Sequence, residues 1–252
     1  MIRAPFLAAV FLFGLLPLIP APNGAAAPAT PRSGEPAGTA AAVLERGRRI
    51  QMDIHDLRAH LTEIVSYSGL PGGRPVEADL TFIQPDALLV RYAPPDGRVL
   101  AVRGKEAWLF LPSANQVLHD AGTSAGAPAP GAADALPDGR LFDLLGGTDR
   151  LARMHPVADG EETIEIVRGE PALRCAVLRV SLPGGKTEGT IFLDDRWLLP
   201  VRTRWSFGGT ITMTTTLSAV RVNSGVPAAD VAFKAPPGAE SLESRFWPAE
   251  TR

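Results

Sequence analysis

With 252 residues, 45% of them hydrophobic and only 6% aromatic, the chain has material for one substantial core that aliphatic side chains must mostly fill. A formal net charge of −2, with no Lys/Arg run and no basic-aromatic interleaving, excludes an electrostatic nucleic-acid binder. The 24 prolines and 25 glycines demand many turns, which suits a β-rich chain better than a helix bundle.

The first residues read as an export signal. Arg3 precedes an apolar run over residues 6–19, and small residues follow over 21–29. The run is shorter than the ~20 residues that span a bilayer and is broken by Pro17 and Pro20. Residues 1–26 are therefore expected to be a cleaved signal peptide. No cysteine lies near the cut to form a lipobox, and the single Cys175 has no internal disulfide partner. A periplasmic protein without disulfides is expected.

Residues 27–39, rich in Ala, Pro and Gly, read as a flexible linker. A short helix over residues 40–52 follows, frayed by Gly47. Residues 55–67 alternate, with Leu57, Ala59, Leu61, Glu63, Val65 and Tyr67 trading places with their neighbours, the pattern of a half-buried strand. Residues 76–83 make the next strand. Three more at 87–92, 98–103 and 107–111 are separated by turns at 93–97 and Gly104-Lys105, and another lies at 116–119. Such a meander keeps one face packed and leaves the other free.

After Asp120 the character changes. Residues 121–137 read as a flexible loop, and residues 139–154 as two short apolar helices separated by Gly146-Gly147. A second strand set is expected at 163–168, 173–182, 186–193, 200–207 and 210–222, with turns at Pro183-Gly184-Gly185, Asp194-Asp195-Arg196 and Gly208-Gly209. Residues 231–238 close a single domain spanning 40–238, and residues 239–252 read as a loose tail.

Catalytic chemistry is poorly represented. His55, His60, His119 and His155 are dispersed without zinc-ligand spacing. Asp194-Asp195 reads as a turn pair, and Cys175 as a buried, inert thiol. No nucleophile elbow, phosphate loop or dinucleotide fingerprint is present. No enzymatic activity, cofactor or metal is expected.

Three motifs resemble the periplasmic outer-membrane lipoprotein carriers, LolA and its relatives, as a divergent member. They are Val90-Arg91-Tyr92-Ala93-Pro94-Pro95 with Trp108-Leu109-Phe110-Leu111-Pro112, then residues 144–152 beginning Leu144-Leu145-Gly146-Gly147, and finally Phe233 to Gly238. Their order matters more than any one of them. Tyr92 stands where the family often has tryptophan, and the loop before the helical insert is enlarged. The resemblance implies a β-rich α+β fold: an open half-barrel of curved antiparallel sheet with short helices over the concave face.

It also implies a carrier that holds acyl chains of a lipoprotein or other amphiphile and moves them toward the outer membrane. Its partners would be an inner-membrane release complex and an outer-membrane acceptor, and the carrier itself would be a monomer. The alternative is an envelope-stress sensor on the same fold that binds a partner protein. Phe82, Leu89, Trp108, Phe110, Leu178, Trp205 and Met213 are the candidate lipid-binding residues, either lining a slot or filling a sealed core. Leu141, Phe142, Leu144, Leu145, Gly146 and Gly147 form either a moving lid or a fixed core helix. Arg91 is either an inward latch bonding the lid's carbonyls or a solvent-facing strand arginine.

Overall fold

A computed structural model describes residues 39–70, 72–121, 151–152, 154–182 and 185–244. The chain divides into two units, Met1–Gly34 and Glu35–Arg252, and every described residue belongs to the second. The signal-peptide and linker assignments over residues 1–38 thus lie outside the described residues.

Helix α1 (Ala40–Gln51) starts where Thr39 caps it, its hydroxyl accepting from the Ala42 amide at 3.3 Å. The first meander is β1 (Asp56–Tyr67), β2 (Val76–Ile83), β3 (Ala87–Tyr92), β4 (Val99–Arg103), β5 (Glu106–Leu111) and β6 (Gln116–Asp120). The second is β7 (Val157–Ile164), β8 (Leu173–Ser181), β9 (Thr187–Asp194), β10 (Pro200–Phe207) and β11 (Ile211–Val222). Antiparallel pairing of β1 with β11 fuses both into one sheet. A final strand, β12 (Glu240–Glu243), joins at β6, so β12 and β7 are the two edges and the sheet is open. This is the open, largely antiparallel half-barrel architecture expected from the sequence.

One face carries most of the core. Leu57 and Leu61 of β1, Leu80 of β2, Val90 of β3, Leu100 of β4 and Leu109 of β5 form one buried cluster on it. Leu178, Ile191, Trp205 and Met213 form a second, together with Leu44 of α1 and Leu151. Within each unbulged stretch, side chains on this inner face alternate with outward ones. α1 is held over it by the Arg46 guanidinium donating to the Asp195 carbonyl at 2.7 Å and the Gln51 amide donating to the Leu198 carbonyl at 3.1 Å. Gly47, expected to fray the helix, is buried within it.

Bulges supply the local twist that curls such a sheet. In β11 an extra residue falls opposite β1 between Arg58 and His60, with Ala219 at φ 49°. The inward residues of β11 therefore change parity, from Met213 and Leu217 to Val220 and Val222, and stay in the core. The β10–β11 turn needs two left-handed residues in succession, which Gly208 and Gly209 provide at φ 57° and 70°.

Two expectations are corrected. The strand read at residues 163–168 runs instead over Val157–Ile164. Its sequence is polar, so hydrophobic periodicity misses it. It pairs antiparallel with β8, and exposed ion pairs join the two strands, Asp159 with Arg179 at 2.6 Å and Glu161 with Arg174. Residues 165–170 turn instead, the Gly169 amide donating to the Glu165 carboxylate at 2.7 Å. The second correction is at the end of the chain, where residues 240–243 of the supposed tail form β12, parallel to β6.

The chain reaches β12 by crossing the outer face of the sheet. Arg58 of β1 pairs with Asp230 in a short 3-10 turn, Ala228–Val231. Phe233 then stacks on Trp108 of β5 with ring centroids 6.3 Å apart. Asn115 donates to the Gly238 carbonyl at 2.9 Å at the far edge. The Phe233–Gly238 motif is thus part of a strap over the outer face.

Candidate functional site

The proposed lipid-binding residues divide between the two faces. Phe82, Leu178, Trp205 and Met213 belong to the inner-face clusters. Leu89, Trp108 and Phe110 have the opposite parity and face outward, where the strap crosses. Trp108 lies between Phe233 and His119, stacked on the imidazole at 5.3 Å. The two groups of residues do not share one surface.

Arg91 is exposed on the outer face. Val90 and Tyr92 on either side are buried in the inner-face cluster, so strand alternation directs the arginine away from it. Of its two readings, the solvent-facing one fits, and the inward latch does not. Leu141, Phe142, Leu144, Leu145, Gly146 and Gly147 lie outside the described residues.

A groove of about 410 Å³ opens between α1 and the segment before β7. Ala40, Ala41, Leu44, Ala152 and Pro156 give it apolar walls, with Glu45, Arg48 and His155 also lining it. Its size falls within the roughly 300–1,000 Å³ of small-molecule sites. Glu45 and Arg48 pair with each other at 3.3 Å, one turn apart on α1. Leu44 both lines the groove and belongs to the cluster of Ile191 and Trp205, so this one side chain links the groove to the inner face.

The inner face also holds a polar row. Glu63 of β1 pairs with Thr215 of β11, and Thr215 pairs with Thr203 of β10. All three are buried, at 3%, 3% and 1% exposure. They separate the two clusters, with Leu61 and Leu217 on one side and Val65, Met213 and Trp205 on the other. Alternation alone places Glu63 on the same face as Leu61. Its neighbours in the row are not legible in the sequence, because they come from strands some 140 to 150 positions away whose register only the fold sets.

No protein-family model matches the chain, and no curated protein sequence matches it significantly. Solved structures do match. One, an uncharacterized conserved protein from Thermus thermophilus, is 13% identical, with a TM-score of 0.53 over 81% of this chain and 98% of the other. The likeness is one of fold. Other solved structures similar to this chain include a LolA superfamily protein from Nitrosomonas europaea, 11% identical over 78% of this chain and 99% of that one, at a TM-score of 0.40. The MucA/MucB complex of Pseudomonas aeruginosa is another, 13% identical over 78% of this chain and 61% of that one, at 0.43.

Proposed function

We propose that this protein is a periplasmic carrier that holds the acyl chain of a lipoprotein or other amphiphile against the inner face of its open sheet and delivers it toward the outer membrane. The observation that supports this reading is the apolar groove beside α1, joined through Leu44 to an aliphatic inner face. Each methylene withdrawn from water contributes roughly 0.8 kcal/mol. Ala40, Ala41, Leu44, Ala152 and Pro156 offer apolar contact in the groove, and Leu178, Ile191 and Met213 are packed behind Leu44, so a longer chain would have to part them. The motif order resembling lipoprotein carriers points the same way.

The test is to purify the exported protein, extract it for co-purifying lipid, and titrate a fluorescent acyl probe with and without competing lipid. Saturable, competable binding is expected, weakened by Leu44→Trp, which would fill the groove. Absence of any probe binding, together with capture of an inner-membrane protein, would replace the carrier with a partner-binding regulator on the same fold.

A further inference from the structure

We propose that the groove beside α1 is a head-group site, and that the cargo it selects is an amphiphile whose phosphate carries a primary ammonium, a phosphoethanolamine lipid. This rests on the carrier reading above and narrows its cargo. The groove is reached from solvent, since Ala41, Glu45, Arg48, Ala152 and His155 are all exposed. On α1 its lining follows one stripe, Ala41, Leu44, Glu45 and Arg48, at the spacing of a single helix face. The stripe is graded. Its first turns are apolar and lead through Leu44 to the inner face, and the ionic pair comes next along the helix. An amphiphile lying along α1 would set its chain by Ala40, Ala41 and Leu44 and its head by Glu45 and Arg48.

The chemistry of the pair defines the head. Arg48 and Glu45 meet at 3.3 Å with side chains 58% and 53% exposed. Surface pairs of this kind hold weakly, so a ligand can open this one. The Arg48 guanidinium presents a planar fork of donors that fits two phosphate oxygens at once. Opening the pair leaves Glu45 without its cation, and a ligand ammonium takes that place. A phosphate and an ammonium joined by a short link thus exchange for the pair charge by charge. His155 also lines the groove, and its ring makes no hydrogen bond or ion pair among the described residues, which leaves a further donor for phosphate. A purely anionic head would gain Arg48 but meet the like charge of Glu45, and a purely cationic head would meet that of Arg48. A quaternary ammonium has no N–H for Glu45. No Trp, Tyr or Phe lines the groove among the described residues to form the aromatic cage that binds such groups.

The experiment displaces a fluorescent acyl probe from the full exported chain with four lipids of matched short chains, a phosphatidylethanolamine, a phosphatidylcholine, a phosphatidylglycerol and a diacylglycerol. Glycerophosphoethanolamine, which has no chains, is the control. In wild type the phosphatidylethanolamine is expected to compete about three- to five-fold better than the other two phospholipids, the diacylglycerol more weakly still, and the control not at all. In Glu45→Gln the ratio of phosphatidylethanolamine to phosphatidylglycerol should fall to about one. In Arg48→Gln the phospholipids should lose their lead over the diacylglycerol. Both positions are exposed, so an unchanged melting temperature will show that each variant is folded. Equal wild-type affinity for phosphatidylethanolamine and phosphatidylglycerol, or a ratio untouched in folded Glu45→Gln, would overturn the head-group assignment. Competable probe binding that weakens in Leu44→Trp would leave the carrier standing in that event. Displacement by glycerophosphoethanolamine alone would make the groove a site for a soluble phosphoamine and overturn a lipid cargo. If the probe itself does not bind, the carrier reading fails as well.

Discussion

The indole of Trp205 lies against Gly189, its cross-strand partner, so closely that a Cβ on Gly189 would come within 2.5 Å of Cζ3 and 2.7 Å of Cε3. Trp205 is fully buried among Leu178, Ile191 and Met213, so the ring has no room to retreat. Gly189→Ala should therefore destabilise the protein by about 1–3 kcal/mol, the usual cost of overpacking a filled core. Urea denaturation measures this as a lower midpoint at unchanged slope. An unchanged midpoint would mean that the ring is mobile.

The outer-face strap should be tested at Phe233. Its stack on Trp108 is the contact midway between the Arg58–Asp230 ion pair and the hydrogen bond from Asn115 to Gly238. Phe233→Ala removes an aromatic pair worth about 0.5–1.5 kcal/mol beyond its buried area. Because β12 is a four-residue edge strand held at the end of that strap, the loss should appear there first. Amide exchange at Glu240 and Ser244, which donate to the Asn115 and His119 carbonyls, is expected to accelerate while β1 and β11 remain protected. Uniform acceleration across the sheet would show that the strap is part of the global unfolding unit.

These elements differ in how far the sequence discloses them. β1 alternates, and β3 to β5 are short apolar runs bounded by turns at Gly97 and Gly104, so periodicity, run length and turn residues together find these strands within a residue or so. β7 escapes because its sequence is mostly polar and it joins the sheet as an edge strand through its backbone ladder with β8, which leaves no hydrophobic signature. β12 escapes because its parallel partner β6 is remote in sequence, and backbone bonds such as Glu240 to the Asn115 carbonyl at 3.0 Å, with side-chain bonds such as His119 to Glu243 at 3.0 Å, leave no local pattern. Trp108 and Phe110 are visible as apolar residues sharing a face, but which face lies inward depends on where α1 and the strap pack. The row of Glu63, Thr215 and Thr203 depends on register across two strand pairs, which no local pattern encodes.

Asp56 sets an acid limit on the fold. Burial by itself would raise its pKa, but its carboxylate accepts from the Ser224 amide at 2.8 Å, the Ser224 hydroxyl at 3.1 Å and the Gly225 amide at 3.0 Å, and the net shift is downward from 3.8. A carboxylate whose folded pKa is depressed contributes stability that is complete above its unfolded pKa, ~3.9, and is lost as pH falls through the lower folded value. These bonds fasten the start of β1 to the segment that follows β11. The difference in unfolding free energy between wild type and Asp56→Ala should thus be constant near neutral pH and shrink below about pH 4. A difference that holds steady down to about pH 2 would show that the ionised state of the group is not what fastens the segment.

Cys175 offers the last test, since its chemistry follows from its position in β8. The thiol is fully buried on the outer face with Val177, Phe192 and Val201. Burial, reinforced by the Asp194 and Asp195 carboxylates, pushes its pKa up to about 12. The thiolate is the reactive species in disulfide exchange and alkylation, so at neutral pH almost none is present, and the side chain is shielded as well. The native protein should be inert toward a disulfide reagent that reacts stoichiometrically once the chain is unfolded in denaturant. Because reaction then requires opening of β8 from its neighbours, the labelling rate should track global stability, rising in Gly189→Ala in proportion to the lost free energy. Rapid labelling of the native wild type, independent of such destabilisation, would place the thiol at a locally opening site and contradict the tight outer-face packing of Cys175 with Phe192.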